Sequence, residues 1–180
     1  TKEAKDKKPA GPILAVVAIF LILIGAISAL SSGGKDDYIQ PAKKAILNVA
    51  AEDKDEYYVY YMNGKKEALD VENLSNVVIS QDMSVACLVN KDGEMTVIRN
   101  GKVKEADVED AKYVQVSMYG DTIVFLTDVE TDKKNYETFG TLNLYYTKSG
   151  KVKEIAEDVL VDSVVLSPNG ETVAFVSDYD

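Results

Sequence analysis

The chain has 180 residues, with 20 Lys+Arg against 30 Asp+Glu, no histidine and no tryptophan. Without histidine, Ser-His-Asp and Cys-His catalysis and every His-ligated metal site are removed from within this sequence. The net charge of −10 leaves no basic footprint for a phosphate backbone, so nucleic acid is not expected as a partner.

From the N-terminus, residues 1–10 carry Lys2, Lys5, Lys7 and Lys8 against Glu3 and Asp6 and read as a basic flank. Residues 11–30 (GPILAVVAIFLILIGAISAL) carry no charge. A helix of about 20 residues rises roughly 30 Å, the thickness of a bilayer's hydrocarbon core, so Gly11 to Leu30 is predicted to be a transmembrane helix. Pro12 sits at its start, where a missing N–H costs nothing. A cleavable signal peptide is the competing reading, although its apolar stretch is usually only about 7–15 residues. A buried helix of a soluble core fits poorly, because no face is polar. The lysines before the helix put the N-terminus in the cytoplasm and the following domain outside, in the extracellular or periplasmic space. Residues 31–43, starting Ser31-Ser32-Gly33-Gly34, read as a linker.

The remainder is built from repeats. Gly101-Lys102-Val103-Lys104-Glu105 recurs as Gly150-Lys151-Val152-Lys153-Glu154, with a looser copy at Gly64-Lys65-Lys66-Glu67. Asn63 and Asn100 precede two of these glycines, and Asn-Gly between β-rich runs is a hairpin signal because both turn residues need φ > 0. A second marker follows each copy, at Ser80-Gln81-Asp82, Ser117-Met118-Tyr119-Gly120-Asp121 and Ser167-Pro168-Asn169-Gly170-Glu171. From turn glycine to serine the spacings are 16, 16 and 17 residues. The two markers therefore keep step three times.

After each serine comes a run that is apolar on both strand faces: Val85–Leu88, Ile123–Leu126 and Val173–Val176. Both faces are expected to be buried, as in a sheet packed between two others. The second unit reads as strands 75–80, 84–90, 94–99 and 102–106. The third reads as 112–117, 122–128, 141–147 and 151–155, with Val129–Gly140 as a polar loop. The first unit supplies 57–62 and 65–69, with 44–50 as strand or helix, and the fourth supplies 162–167 and 172–178. All-β architecture follows: a partial β-propeller of four-stranded antiparallel blades over residues 44–180, preceded by one transmembrane helix.

The stretch Ser167-Pro168-Asn169-Gly170-Glu171-Thr172-Val173-Ala174-Phe175-Val176-Ser177-Asp178 resembles the repeat of TolB-like, WD-like β-propellers, in which a Ser-Pro-Asp-Gly turn precedes a strand. Leu144 to Ile155 is similar to the two outer strands of that repeat. The resemblance implies a propeller truncated at its C-terminus, since the sequence stops at Asp180 inside a repeat, and it implies binding through loops rather than any fixed ligand.

No catalytic, cofactor-binding or metal-ligating residue is assigned, and no cofactor is expected. Cys87, aligned with Phe125 and Phe175, reads as a buried structural thiol. Asp128, Glu130 and Asp132 alternate as at the start of a calcium loop. Lys133 stands where the loop's glycine belongs and Phe139 where its bidentate glutamate belongs, so a solvated acidic segment is expected. Tyr57, Tyr58, Tyr60, Tyr61, Tyr145 and Tyr146 read as strand residues or as an aromatic platform for glycan or peptide. The expected function is a membrane-anchored, non-catalytic module binding a protein, peptide or cell-envelope ligand. The alternatives are a scaffold within a complex, or the propeller half of a dipeptidyl-peptidase-type serine peptidase whose hydrolase domain would carry Gly-x-Ser-x-Gly.

Overall fold

The computed structural model describes residues 41–177, apart from 43, 54, 55 and 135. The apolar segment 11–30 lies outside the described residues. Among those described, no helix is long and apolar enough to cross a membrane.

Within the described residues, thirteen strands form four antiparallel sheets in series. The first sheet holds β1 (Ile46–Asp53), β2 (Glu56–Tyr61) and β3 (Lys66–Leu69). The second runs β4 (Leu74–Ile79), β5 (Val85–Asn90), β6 (Met95–Arg99) and β7 (Lys102–Glu105). The third runs β8 (Lys112–Val116), β9 (Thr122–Thr131), β10 (Thr138–Tyr146) and β11 (Lys151–Leu160). The fourth pairs β12 (Val165–Leu166) with β13 (Val173–Ala174). Every neighbour is consecutive in sequence, so each sheet is a meander closed by tight turns. The two four-stranded sheets match the strands expected for the second and third units within a residue or two, except at the long hairpin and at the end of β11. Within the segment 44–50, which the sequence leaves open as strand or helix, residues 46–50 are strand, the start of β1.

Strand alternation explains why the sheets stack. One face of the second sheet, with Ala86, Leu88 and Ile98, packs on Ile46, Val59 and Tyr61 of the first. Its other face, with Val85, Cys87, Val89 and Val97, packs on Val114, Ile123, Phe125 and Tyr145 of the third. The third then offers Val124, Leu126 and Leu142 to Val164, Leu166, Val173 and Phe175. Both faces of Val85–Leu88 and Ile123–Leu126 are thus buried, as their continuous apolar runs require.

The fourth run departs from that expectation. Val173 and Phe175 pack inward, but Ala174 and Val176 are exposed. Among the described residues no further sheet covers that face. Its strands are also shorter than 162–167 and 172–178, and Val161–Ser163 forms a 3-10 turn instead. Ser163 Oγ donates to the Leu160 carbonyl at 2.6 Å, which takes these residues out of the ladder.

Three further corrections concern register. Only the middle of Val129–Gly140 is loop: β9 continues to Thr131 and β10 begins at Thr138. The cause is local, since Thr131 and Thr138 pair their hydroxyls at 3.0 Å and Val129 packs into the core. The outer strand β11 likewise runs on to Leu160, beyond the expected 155. Finally, Cys87 does not align with Phe125 and Phe175. Ser80, Ser117 and Ser167 each donate their N–H to the carbonyl five residues on, which sets the register of the repeats. Leu88, Phe125 and Phe175 are then equivalent, and Cys87 matches Val124 and Ala174. A slip of one residue moves a side chain to the opposite face. Cys87 is nevertheless buried, as expected of a structural thiol.

The serine markers have a structural role. Ser80 Oγ accepts the N–H of Val85 at 3.0 Å, Ser117 Oγ that of Thr122 at 3.1 Å, and Ser167 Oγ that of Thr172 at 2.9 Å. Backbone bonds then link turn to turn across the sheets: Ala42 to Asp82, Asp82 to Met118 and Met118 to Pro168. Pro168 has no N–H to pass on, so the ladder stops there as a donor.

Candidate functional site

The serine turns mark one end of the sheets. At the other end, three connecting segments converge: Asp70–Asn73 before β4, the β5–β6 turn, and Glu105–Glu109 after β7. They enclose a cleft of about 510 Å³. Seven carboxylates line it (Asp70, Glu72, Asp92, Glu94, Glu105, Asp107 and Glu109) and, among the described residues, no basic side chain does.

The cleft is held chiefly by backbone bonds and by the Asn90 amide, which also engages the Glu94 carboxylate. Asn90 organises the β5–β6 turn: its Oδ1 accepts the N–H groups of Asp92 at 3.0 Å and Glu94 at 2.9 Å, and its Nδ2 donates to Glu94 at 2.7 Å. Lys91 N–H reaches the Asn73 carbonyl at 2.9 Å, and Ala106 N–H reaches that of Met95 at 2.8 Å. Ala111 N–H donates to the Gly93 carbonyl at 2.9 Å, which pins the segment after β7 over the turn. These bonds tie the three connections together, and the acidic side chains are exposed around them.

A row of carboxylates facing one cavity repels anions and draws cations, with a reach set by salt. Acid–base chemistry needs a side chain positioned within hydrogen-bond reach of the proton it moves, and covalent catalysis a nucleophile in contact with its base. Among the described residues no group of three or more Cys, Asp or Glu is placed to hold a metal ion.

At the serine end, Arg99 bridges the second and third sheets. Its guanidinium donates to Asp121 at 2.9 Å, to the Gly120 carbonyl at 3.2 Å and to Thr147 Oγ1. Lys148 adds a second cation to Asp121 at 2.8 Å. Partial burial alone would raise the Asp121 pKa, but the hydrogen bonds from Lys148 and Arg99 outweigh it and hold the carboxyl below its ordinary range.

The residues singled out in the sequence are dispersed by the fold. Tyr57 and Tyr61 turn toward the core between the first two sheets. Tyr58 and Tyr60 belong to the opposite face, where Tyr60 donates to Glu52 at 2.5 Å and Lys66 lies 4.4 Å from the centre of the Tyr58 ring. Lys66 also pairs with Glu52 at 2.6 Å, and with Tyr60 this lowers the Glu52 pKa. Tyr61 is pushed up to about 12 by burial and by its bond to Glu67. Tyr145 is buried while Tyr146 is exposed, so the six tyrosines form no single platform. Asp128 and Glu130 are exposed on β9, and Asp132 caps the hairpin turn by accepting the Lys134 N–H at 2.8 Å. The cleft acids carried no signal in the sequence, because they come from three separate connections.

Over the described residues these observations define an all-β fold of successive antiparallel meanders, two of them four-stranded, with an acidic cleft at one end. No protein-family model matches the chain. No curated protein matches it. Among solved structures it is similar to the tricorn protease, at 11% identity and a TM-score of 0.48, over 72% of this protein and 15% of that one. It is also similar to the β-propeller domain of the Trilobed protease from Pyrococcus furiosus, at 14% identity and a TM-score of 0.40, over 65% of this protein and 40% of that one. The chain thus spans less than half the length of either of those chains.

Proposed function

We propose that the chain is part of a single-pass, membrane-anchored β-propeller of the TolB-like kind, displayed outside the cytoplasm, which binds a basic peptide or protein segment without catalysing a reaction. The propeller reading is supported by the sheets' common orientation. β4 and β8 lie side by side as first strands, and Gln115 on β8 reaches the Val164 carbonyl at 3.0 Å and the Leu166 N–H at 3.3 Å. First strands that neighbour one another across successive sheets are what a common axis needs. The anchor is supported by the uncharged run 11–30 and the lysines before it.

The observation that carries the binding reading is the acidic cleft. Its walls come from the loops of two successive sheets, the arrangement that lets loops serve recognition while strands hold them. The probe is an oligolysine peptide with the full-length protein in detergent micelles. Replacing Glu72→Gln, Glu105→Gln and Asp107→Asn together is expected to weaken binding on the order of tenfold, as three exposed charge interactions would. Added salt is expected to weaken the unaltered protein's binding as well. A control pair on β11, Glu154→Gln and Glu157→Gln, is expected to change little. Equal losses in both variants would overturn the site. For orientation, trypsin added to intact cells is expected to cut at Lys133 or Lys134 in the hairpin; protection there would overturn the outward placement.

A further inference from the structure

Three Asn-Gly pairs occur in this protein, at 63–64, 100–101 and 169–170. The sequence makes them chemically alike, and the fold makes them different. At Asn169 the side chain is fully engaged: Oδ1 accepts from Ser167 at 2.7 Å and from the Glu171 N–H at 3.2 Å, and Nδ2 donates to Glu171 at 2.8 Å. The Gly170 N–H is also committed, to the Ser167 carbonyl at 2.9 Å. At Asn63, Oδ1 accepts the Lys65 N–H at 3.0 Å and Gly64 donates to the Tyr61 carbonyl at 3.0 Å. Asn100 stands apart. It is exposed, and among the described residues neither its side chain nor the Gly101 N–H has a hydrogen-bond partner.

We propose that Asn100 is a selective site of spontaneous deamidation in the folded protein. The Gly101 backbone nitrogen loses its proton to solvent and attacks the carbonyl carbon of the Asn100 amide. A new carbon–nitrogen bond closes a succinimide, the original bond from that carbon to Nδ2 breaks, and ammonia leaves. Water then opens the ring at either carbonyl and leaves aspartate or isoaspartate, with no change of oxidation state. Attack requires a nucleophile free of a hydrogen bond and an amide free to rotate onto it, and among the three sites only Asn100-Gly101 offers both. Both residues have positive φ, 51° and 72°, as the two-residue turn closed by the Arg99–Lys102 pair requires. The Lys44 side chain beside Gly101 adds a positive charge that favours ionisation of the attacking nitrogen: a Cβ built at 101 would lie 2.7 Å from its Nζ. The isoaspartate product carries an extra backbone methylene in this turn, which shifts β7 out of register.

The test follows all three sites at once. The full-length protein is incubated in detergent micelles at mildly alkaline pH, digested, and each Asn-Gly peptide is scored by mass for amide-to-acid exchange. Each net hydrogen bond that must open slows attack several-fold, so Asn63 is expected to convert roughly tenfold and Asn169 roughly a hundredfold more slowly than Asn100. In strong urea the three rates are expected to converge. A folded protein in which Asn63 or Asn169 keeps pace with Asn100 would overturn the proposal. So would an Asn100 that does not convert, or a rate order that survives in urea.

Discussion

Gly93 lies directly beneath the backbone of Asp110: a Cβ at residue 93 would stand 2.4 Å from the Asp110 Cα. Its φ of 82° lies in the region that side chains avoid. This close approach holds the segment after β7 against the β5–β6 turn. Gly93→Ala is therefore expected to destabilise by about 3 kcal/mol, combining backbone strain with an overlap that cannot relax by rotamer change. Chemical denaturation measures it, and a loss under about 0.5 kcal/mol, the level of an ordinary surface change, would contradict this account.

The turn serines permit a comparison within one molecule. Ser117 is buried and Ser167 is half-buried, yet each accepts the equivalent N–H, that of Thr122 and of Thr172. Ser117→Ala leaves the Thr122 N–H without its side-chain acceptor away from water and is expected to cost about 1–2 kcal/mol. Ser167→Ala is expected to cost less than half as much, because water reaches its partner. Equal losses would show that burial does not set the value of this repeat.

The Arg99–Asp121 pair links neighbouring sheets, with Asp121 38% exposed. At that exposure the pair is worth about 0.5–1 kcal/mol, after solvent screening. The Asp121 pKa is depressed in the folded state from 3.8. Its stabilisation is thus present above the unfolded value and is lost as pH falls below about 3.8 through the folded value. A double-mutant cycle of Arg99→Met and Asp121→Asn, measured at pH 7 and near pH 2, is expected to show coupling that disappears in acid. Coupling that persists there would refute the ionic assignment.

Cys87 sits between the second and third sheets, where burial pushes its thiol up from 9.0 to about 12. A maleimide is expected to label it only after denaturation. Because the folded protein keeps the proton that the unfolded one releases, stability is expected to fall as pH rises from about 9 toward 12. Rapid labelling of the native protein would show that the sheets open there.

Much of the second and third sheets was legible in the sequence, for a plain reason. Local turn chemistry at Asn100-Gly101 and at the serines, with apolar runs between, defines hairpins without reference to anything distant. The hairpin over Val129–Gly140 was hidden because its outward residues are polar, and only packing of Val129 shows which face is in. The tyrosines misled for the same reason: adjacency in sequence is opposition in a strand.

What the amino-acid sequence determined by itself was the repeat, the strand order within each sheet, the acidic balance and the uncharged run at 11–30, all of which rest on composition and short-range spacing. The tertiary structure alone decided that Leu88, not Cys87, matches Phe125, because register is set by hydrogen bonds across the turn. It alone gathered Glu72, Glu94 and Glu105 at one cleft, because residues from separate connections meet only once the sheets have stacked. And it alone separated three identical Asn-Gly pairs, since the freedom of an amide depends on which neighbours the fold brings to it.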